Sequence, residues 1–492
     1  MMKKFLLLIL TCSSLVVHSQ KTDNVWLLGY HYYPSFVPAL DFYYNSPDTI
    51  AWNSPIEFFG ANASVCNSSG DLQFYTDGIS MFNYLNDTIA NSTRFNYDSI
   101  MGPPYYLSTL PAQSVIITPY PGQNDQYCVF HLSIHFFNNM QNAQPLKFSY
   151  SVVDMNANGG TGEMTVKDQT IISDTMLYYS LQAVKHGNGR DWWAVVHKWN
   201  SDLLYKVLLT PNGVSYTTQQ VGPVMKSDLA YGGQTLFSPD GSRYAILRSD
   251  TNEVYLFDFD RCTGMFTYQE TLTYNNNDVV TGCSFSPDSR RFYVSSSTRL
   301  YQYDMSLTPV SPTRVKVGDW DGAGGFNPYY FETHRLAPDG KIYITTPPSE
   351  YLHVINAPNQ PDTTCNFTQH TLKLKSYHAG TVPEFPNYRL GNLQGLPCDT
   401  LNYSGTQELQ ENSFSIYPNP VSSICTIKFD KINEFGGVVQ IRDLTNRIVL
   451  QKRTEKQTSS LTIDLGFLSS GLYVLEFNNG HTSAGKKIAV ID

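Results

Sequence analysis

Apolar and polar positions alternate with a period of two along most of this chain. Three similar phrases show the pattern best: "LFSPDGSRYAILRSDTNEVYLFDFDRCTG" from Leu236, "SFSPDSRRFYVSSSTRLYQYDM" from Ser284 and "RLAPDGKIYITTPPSEYLHVINAP" from Arg335. Each predicts three short strands joined by a Pro-Asp turn and a polar turn, because proline fixes φ at the first corner and Asp or Gly tolerates the second. Since no segment beyond the first twenty residues has a helical period, we predict an all-β protein.

The Pro-Asp turn belongs to a repeat of about fifty residues. Clear or fainter copies of the turn begin at Asn67, Pro119, His186, Ser238, Ser286 and Ala337. Successive spacings are 52, 67, 52, 48 and 51 residues, so the second unit carries an insertion, and one more step lands near Tyr388 in "FPNYRLG". A unit of this length with about four strands is typical of a β-propeller blade.

Six blades are therefore countable, and a seventh could be shared between the two ends of the ring. The segment "NVWLLGY" from Asn24 is the candidate for that role. We expect its strand to pair with the last blade and close the ring, because closure removes the open sheet edges. The sequence thus predicts a β-propeller of six or seven blades.

The last eighty residues carry a different strand pattern. After Cys398 the polar stretch "DTLNYSGTQELQENS" reads as a linker, and closely spaced alternating strands follow it. This pattern favours a small antiparallel, Ig-like β-sandwich. We therefore divide the chain into a signal peptide (1–19), a β-propeller (20–399), a linker (400–412) and a C-terminal sandwich (413–492).

The first nineteen residues have the pattern of a signal peptide. Lys3 and Lys4 precede the apolar stretch "FLLLIL", and a small residue precedes the predicted cleavage between Ser19 and Gln20. The apolar stretch is too short for a permanent transmembrane anchor. In the alternative interpretation Cys12 is the acylated first residue of a lipoprotein, but Thr11 fits poorly before it. We therefore expect simple export.

Three short motifs mark the C-terminal eighty residues in order. They are Tyr417, Pro418, Asn419 and Pro420; then Gly471, Leu472 and Tyr473 after Ser470; then Lys486 and Lys487 before Ile488. In this order they resemble the type A C-terminal sorting domain of the type IX secretion system of Bacteroidota. One departure is Asn446, where the family usually has glycine, although Asn tolerates a left-handed turn nearly as well.

The resemblance implies a route for the whole protein. It implies recognition by the outer-membrane translocon, removal of the tail by its sorting peptidase, and a secreted or outer-surface location reached through the periplasm. The repeated "SPDG" phrases resemble the YVTN and WD-like families of propeller proteins from Trp26 to about Cys398. That second resemblance concerns architecture and implies no chemistry.

Charge and cysteine content narrow the possible partners. A net charge of −9 without a basic cluster argues against nucleic-acid binding. Of the eight cysteines, seven remain after the signal peptide, and their spacing matches no zinc site. At least one must stay unpaired. We predict Cys365 and Cys398 as the first pair to test for a disulfide.

No catalytic constellation is recognisable in the predicted propeller. The motifs HExxH, GxSxG, GxGxxG and the Walker phosphate loop are absent from the sequence. His131 and His135 fall on one strand face and could bind a metal, but no third ligand is visible, so we interpret them as residues packed in a blade or the channel. His186 and His197 receive the same interpretation. We assign no catalytic and no cofactor-binding residue.

Calcium is the one cofactor that the sequence suggests. Asp154, Asn156 and Asn158 overlap the first half of a calcium loop, but Thr165 stands where the loop needs a bidentate Glu. Asp319 and Asp321 in "VGDWDGAGG" form a weaker candidate. Turn formation explains these residues equally well, so metal binding stays open.

Two functions from different classes remain. The first is an exported propeller that binds an extracellular protein or glycan. Tyr-rich runs such as "HYYPSF", "DFYY" and "GPPYYL" can stack on sugar rings or contact a protein, but we favour the interpretation that they pack against neighbouring blades. The alternative is a propeller hydrolase or lyase that acts on polysaccharide. Two carboxylates ~5–10 Å apart in the central channel would favour the enzyme, whereas a channel without such a pair would favour binding.

Overall fold

The computed structural model describes most of the chain outside its N-terminus and the linker. The described residues are 21–29, 36–43, 46–96, 111–137, 142–225, 232–274, 279–393, 395, 398, 414–433, 437–443, 448–455, 458–478 and 483–491. The predicted signal peptide with its Ser19–Gln20 cleavage site lies outside these ranges, as do Asn446 and most of the predicted linker. The chain divides into two compact units, Met1–Thr400 and Leu401–Asp492.

The first unit contains seven antiparallel sheets that follow one another along the chain. Blades 1 and 2 have three described strands each: β1 (Val25–Leu27), β2 (Val37–Asp41) and β3 (Asp48–Trp52), then β4 (Ala63–Cys66), β5 (Leu72–Thr76) and β6 (Met81–Asn83). Blades 3 and 4 have four each: β7 (Val115–Pro119), β8 (Gln126–Phe137), β9 (Asn142–Asp154), β10 (Glu163–Ser173), then β11 (Gln182–Lys185), β12 (Trp192–His197), β13 (Ser201–Thr210) and β14 (Gly213–Met225).

Blades 5 to 7 repeat the four-stranded arrangement with shorter strands. Blade 5 consists of β15 (Gly233–Phe237), β16 (Arg243–Arg248), β17 (Glu253–Asp260) and β18 (Met265–Thr273). Blade 6 consists of β19 (Val280–Phe285), β20 (Arg291–Ser296), β21 (Arg299–Asp304) and β22 (Val315–Asp319). Blade 7 consists of β23 (His334–Leu336), β24 (Ile342–Ile344), β25 (Ser349–Ile355) and β26 (Phe367–His378). Within the described ranges, three 3₁₀ helices lie in loops, at Asn158–Gly160, Ser311–Thr313 and Asp362–Cys365.

The seven sheets form a closed propeller. The first strands of neighbouring blades contact each other from β1 through β23, so these strands surround the axis of the ring. The apolar faces of adjacent blades stack into cores, for example between blades 2 and 3 and between blades 5 and 6. A blade cannot cover both faces of its own sheet, and this stacking supplies the missing cover. The prediction of an all-β propeller is confirmed, with seven blades.

The way in which the ring closes differs from our expectation. Strand β1 does not join the last blade; it pairs with β2 and begins a blade of its own. Closure comes from side-chain packing, with the ring of Tyr343 in blade 7 lying 6.0 Å from Trp26 and 5.9 Å from Phe42. Residues 25–52 already supply three strands, so the N-terminus completes a sheet without borrowing one.

The repeated turn phrase has a local chemical cause. In blade 5 the Ser238 hydroxyl donates to Asp240 at 2.6 Å and accepts the Arg243 N–H at 2.9 Å. Ser286 and Asp288 make the same two kinds of contact in blade 6. These side chains tie the first strand of the blade to the second, and the six turns predicted from the sequence lie at this place in blades 2 to 7. The long spacing after Pro119 reflects the long strands β8 and β9.

The second unit is a small two-sheet β domain. Its strands are β27 (Phe414–Tyr417), β28 (Ile424–Asn433), β29 (Gly437–Arg442), β30 (Ile448–Thr454), β31 (Thr458–Asp464), β32 (Gly471–Asn478) and β33 (Ser483–Val490). They form the sheets β27-β28-β31 and β30-β29-β32-β33. Buried side chains from both sheets, among them Ile427, Val439 and Ile488, build one core. The predicted sandwich is confirmed.

The disulfide prediction is wrong. Cys398 pairs with Cys262, and their Cα atoms are 5.5 Å apart. Cys365 is free and buried. The two bonded cysteines are 136 residues apart in sequence, and such distant partners meet only through the closure of the ring, which residue spacing does not reveal.

Candidate functional site

The centre of the propeller is filled by the chain itself. Residues 380–393, called here the channel segment, follow the last strand and run past the innermost strands of the blades. Near its start the Thr381 hydroxyl donates to the carbonyl oxygen of Phe58 at 2.7 Å, and the N–H of Glu384 donates to the carbonyl oxygen of Asn62 at 2.8 Å. Near its end the N–H of Leu393 donates to the carbonyl oxygen of Gly187 at 2.8 Å.

The expected repeat unit at Tyr388 is therefore absent. No described residue of the channel segment lies in a strand. Pro383 and Pro386 cannot donate ladder hydrogen bonds, and this excludes a regular central strand at this position. Tyr388 is instead fully buried, and its hydroxyl donates to the carbonyl oxygen of Ile117 at 2.8 Å. Its apolar neighbours make the segment part of the propeller core.

Glu384 lies at the meeting point of three blades. Its Oε2 accepts a hydrogen bond from Gln113 at 3.3 Å and from Gln182 at 3.1 Å, and it forms an ion pair with Arg335. These partners belong to or precede the first strands of blades 3, 4 and 7. The side chains of Arg335 and Glu384 are 9% and 3% exposed, so the pair is shielded from solvent. Arg335 Nε has no hydrogen-bond partner among the described residues.

A second arginine–carboxylate pair lies further along the channel segment. Arg389 donates from both terminal nitrogens to the two carboxylate oxygens of Asp23, each at 2.6 Å. This two-point contact is the geometry that suits guanidinium and carboxylate best. Asp23 precedes the first strand of blade 1, so the pair connects the channel segment to the N-terminal blade. The carboxylates of Glu384 and Asp23 are thus each held by an arginine.

The end of the channel segment is held by two buried cations and the disulfide. The Lys185 ammonium group donates to the carbonyl oxygen of Tyr388 at 2.6 Å. The Arg261 side chain donates to the carbonyl oxygen of Lys185 at 2.8 Å and to the carbonyl oxygen of Gly391. Burial, with a smaller contribution from Arg261, lowers the pKa of Lys185 to about 8. The neighbouring Cys262 then ties the chain to Cys398. A Cβ on Gly187 would lie 2.7 Å from Cys262 Sγ, so only glycine fits there.

A cavity remains beside the channel segment, towards blades 5, 6 and 7. Its volume is about 270 Å³. Apolar and proline side chains from the first strands and turns of these blades form much of its wall, namely Leu236, Phe237, Pro239, Phe285, Pro287 and Leu336. Polar groups of the channel segment and the blades complete it, among them Asp23, Gln182, Ser284, Arg335, Asn387 and Arg389.

His334 also lines this cavity but is held neutral. Its Nε2 lies 2.8 Å from Ser295 Oγ, and its Nδ1 lies 3.3 Å from Ser284 Oγ. Burial lowers the pKa of His334 to about 3. A neutral ring with both nitrogens hydrogen-bonded serves to fix strand β23 beside its neighbours, and it is poorly placed to act as a proton-transfer group.

The histidines that the sequence singled out lie apart from this centre. His131 is buried against Phe95, with ring centroids 4.7 Å apart, and its Nε2 lies 3.3 Å from Ser151 Oγ. His197 stacks on Tyr244. Burial lowers the pKa of His131 and of His197 to about 3. His186 contacts the Cys262 carbonyl oxygen at 3.0 Å, and His135 lies on β8 near His131. Across the described ranges no three His, Cys, Asp or Glu residues are placed to hold a metal ion.

The two candidate calcium loops are turns stabilised by their own side chains. Asp154 accepts the Asn156 N–H at 2.9 Å, and Asn158 and Gly159 both have positive φ. In the second loop the carboxylates lie within ion-pair distance of cations, Asp319 with Lys316 at 2.6 Å and Asp321 with His370 at 2.7 Å. Calcium binding at either loop stays a prediction.

Of the Tyr-rich runs, "DFYY" and "HYYPSF" are partly described. Phe42 is buried against Trp26, with ring centroids 5.0 Å apart, whereas Tyr43 is half exposed with Lys21 Nζ 4.2 Å from its ring centroid. "GPPYYL" and most of "HYYPSF" lie outside the described residues. The packing interpretation holds for Phe42.

In the C-terminal unit the structure brings the first and last predicted motifs together. Tyr417 and Pro418 begin the turn after β27, and Asn419 accepts the Ala489 N–H of strand β33 at 2.9 Å. Just after Pro420 the N–H of Val421 donates to the carbonyl oxygen of Ala489 at 2.8 Å.

The other motif residues lie on the last two strands. Gly471 and Leu472 are exposed at the start of β32, and the Tyr473 hydroxyl donates to the Ser469 carbonyl oxygen at 2.8 Å. Lys486 is exposed on β33, with Nζ 5.7 Å from the ring centroid of Phe414, and Lys487 follows it on the same strand.

Comparison with known proteins addresses the C-terminal unit directly. Residues 415–491 match the family model of the secretion system C-terminal sorting domain. This tail supports secretion by the type IX system, and with it interaction with that machinery and export to the cell surface or the extracellular space. No curated protein matches the chain in sequence. No helix among the described residues is long and apolar enough to cross a membrane.

Several solved structures resemble the chain at low identity. A protein from Lactobacillus plantarum shares 12% identity over 90% of this chain and 99% of its own, with a TM-score of 0.37. The periplasmic gluconolactonase of Pseudomonas aeruginosa shares 13% over 73% and 97%, with a TM-score of 0.36. AztD from Citrobacter koseri shares 12% over 76% and 89%, with a TM-score of 0.38. At such TM-scores these likenesses carry no argument about activity.

Sequence reasoning missed the residues that meet at the centre. Asp23, Arg335, Glu384 and Arg389 drew no attention, because each looks like an isolated surface charge in the sequence. One signal was present: "TVPEFPNYRL" interrupts the repeat with two prolines and places an acid and a base among apolar residues. A stretch that interrupts the repeat in this way indicates a segment that does not form a blade strand.

Proposed function

We propose that this protein is an exported β-propeller that binds a protein or glycan at the cell surface or outside the cell, without cleaving it. The observation that carries the proposal is the filled channel, in which arginines hold the carboxylates of Glu384 and Asp23. Export depends on the C-terminal domain, which we propose is recognised by the outer-membrane translocon of a bacterium of the Bacteroidota and removed by its sorting peptidase.

The central geometry disfavours the alternative of a polysaccharide hydrolase or lyase. A glycosidase needs one protonated and one ionised carboxyl group, ~5–10 Å apart, on either side of an open substrate site. Glu384 is surrounded by Arg335 and two glutamine amides, and both oxygens of Asp23 bind Arg389. Each of these carboxylates is already paired with an arginine, and this pairing favours a structural role over a catalytic one.

A paired assay tests binding against turnover. Full-length protein would be screened on a glycan array and against extracellular proteins, and in parallel for release of reducing ends or unsaturated sugars from polysaccharides. We expect binding without turnover. Polysaccharide cleavage that disappears in Asp23→Asn or Glu384→Gln would contradict the proposal, and so would the absence of any bound glycan or protein.

A deletion tests the export route separately. Chain that lacks residues 414–492 should remain in the periplasm, and immunoblots of surface, medium and periplasmic fractions would locate it. Matched full-length chain provides the control. Deleted protein that reaches the surface at the full-length level would refute the sorting role of the C-terminal domain.

A further inference from the structure

We infer that the central cavity binds one uncharged, hydroxyl-bearing ring of the size of a single sugar residue. This inference rests on the proposed binding function, because it names a ligand class for that site. It depends on the size of the cavity, its walls and the charges around it, all within the first unit of the chain.

The size of the cavity suits a ligand of about one ring. A volume of about 270 Å³ is slightly below the ~300–1,000 Å³ typical of small-molecule pockets. A pyranose with its ring substituents therefore fits, whereas a second linked residue would have to project out of the cavity.

The walls offer apolar surface that the protein leaves partly uncovered. Leu236, Phe237 and Leu336 belong to innermost strands of blades 5 and 7, yet they are only half-buried. The C–H face of a sugar ring is a suitable cover for such apolar and aromatic surface.

The charges around the cavity favour an uncharged ligand. The Arg335–Glu384 and Arg389–Asp23 pairs each balance one positive and one negative charge. A charged ligand would have to separate one of these pairs and leave a buried charge without its partner, which is strongly unfavourable. An uncharged ligand avoids this cost.

Hydroxyl groups match the polar atoms that remain. The Nε–H of Arg335, whose side chain is nine-tenths buried, has no acceptor among the described residues. Hydroxyl oxygens can accept from this guanidinium and donate to carboxylate oxygens at the same site. Together with the apolar wall, these groups suit a ring that has an apolar face and a polar rim.

The rim of the cavity is already ordered. Pro239, Pro287 and Pro338 occupy equivalent turn positions in blades 5, 6 and 7 and line the cavity side by side. The serine–aspartate contacts of the turns in blades 5 and 6 hold two of them in place. A preformed rim reduces the loss of freedom on binding, and so it favours affinity for a small ligand.

A cavity-filling substitution tests the inference in the full-length protein. Leu336→Trp places an indole at the wall, and Leu208→Trp is the matched control, because Leu208 is also a half-buried strand leucine but does not line the cavity. Binding of glucose, galactose and mannose would be measured by saturation-transfer NMR and calorimetry, with glucuronic acid and glucosamine as charged comparators. We expect at least one neutral sugar to bind, Leu336→Trp to weaken it about tenfold or more, and the control to bind normally.

Hydrogen exchange on unmodified protein gives a second readout that does not depend on the folding of a variant. The bound sugar should slow exchange in the turns at 238–242, 286–290 and 337–341. Tighter binding of a charged comparator, or sugar binding that protects other regions and survives Leu336→Trp, would overturn the inference and leave the binding function intact. If the full-length protein binds neither a sugar nor an extracellular protein, both proposals fail.

Discussion

Removal of the disulfide should destabilise the propeller by several kcal/mol. Cys398→Ser opens a covalent loop of 136 residues that contains the last strand of blade 5, blades 6 and 7 and the channel segment. In the chain-entropy description, a loop of this length restricts the unfolded chain by about 17 cal/mol/K, which is roughly 5 kcal/mol at 25 °C. Because native disulfides usually contribute 2–5 kcal/mol, we expect a loss of about 3–5 kcal/mol in the free energy of unfolding.

The measurement can be confined to the propeller. All six tryptophans of the chain precede residue 321, so their fluorescence in a urea titration reports on the propeller and not on the sorting domain. Cys262→Ser and the double variant should match Cys398→Ser, because each removes the same bond. Hydrogen exchange should increase most at 388–393, where the channel segment approaches Cys262.

Cys365→Ala is the control for the loss of a buried sulfur. This cysteine is free and buried, so its replacement should cost about 1 kcal/mol without exposing the channel segment. The reasoning would be refuted if Cys398→Ser unfolded at the same urea concentration as the oxidised wild type. It would also be refuted if the double variant were much less stable than either single variant.

Three further predictions concern the buried charges and the tail. Glu384→Gln leaves the Arg335 charge buried without its partner and should cost about 3–5 kcal/mol in the same urea assay, with partial recovery in the Arg335→Met/Glu384→Gln double variant; a loss below about 1 kcal/mol in the single variant would contradict the pairing argument. Acid should destabilise the propeller through its buried histidines. Burial lowers the pKa of five of them to about 3 or 4, namely His131, His197, His334, His353 and His378. In the unfolded chain these histidines titrate near 6.5, so acid protonates the unfolded chain before the folded one. The contribution of these histidines should therefore be complete above about pH 6.5 and fall by up to about 2 kcal/mol per histidine at pH 5. Asp77 and Glu332 oppose this loss in part, because burial raises their pKa values to about 6 and about 7; a urea midpoint that stays constant from pH 7 to 5 would contradict a net loss. Asn419→Ala removes the acceptor of the Ala489 N–H and should lower the stability of the sorting domain by about 1 kcal/mol, seen in its thermal unfolding, whereas Asn419→Asp keeps the acceptor and should cost less.

Local patterns determined the class of the fold and much of its layout. The Ser-Pro-Asp turn acts within five residues through Ser238 and Asp240, so its repetition in the sequence located the hairpins of six blades before any tertiary contact was known. The strand alternation and ordered motifs of the tail, from Tyr417 to Lys487, likewise predicted a separate sandwich of sorting-domain type. In both cases the information lies within a few neighbouring residues.

Only the tertiary structure decided what lies at the centre. Asp23 and Arg389 are 366 positions apart, Arg335 and Glu384 are 49 apart, and Cys262 finds Cys398 across 136 residues. Each contact exists because seven blades close into a ring and the following segment turns into the channel. Local turn chemistry carries no information about that closure, which is why the seventh blade, the channel segment and the disulfide could not be predicted from residue spacing.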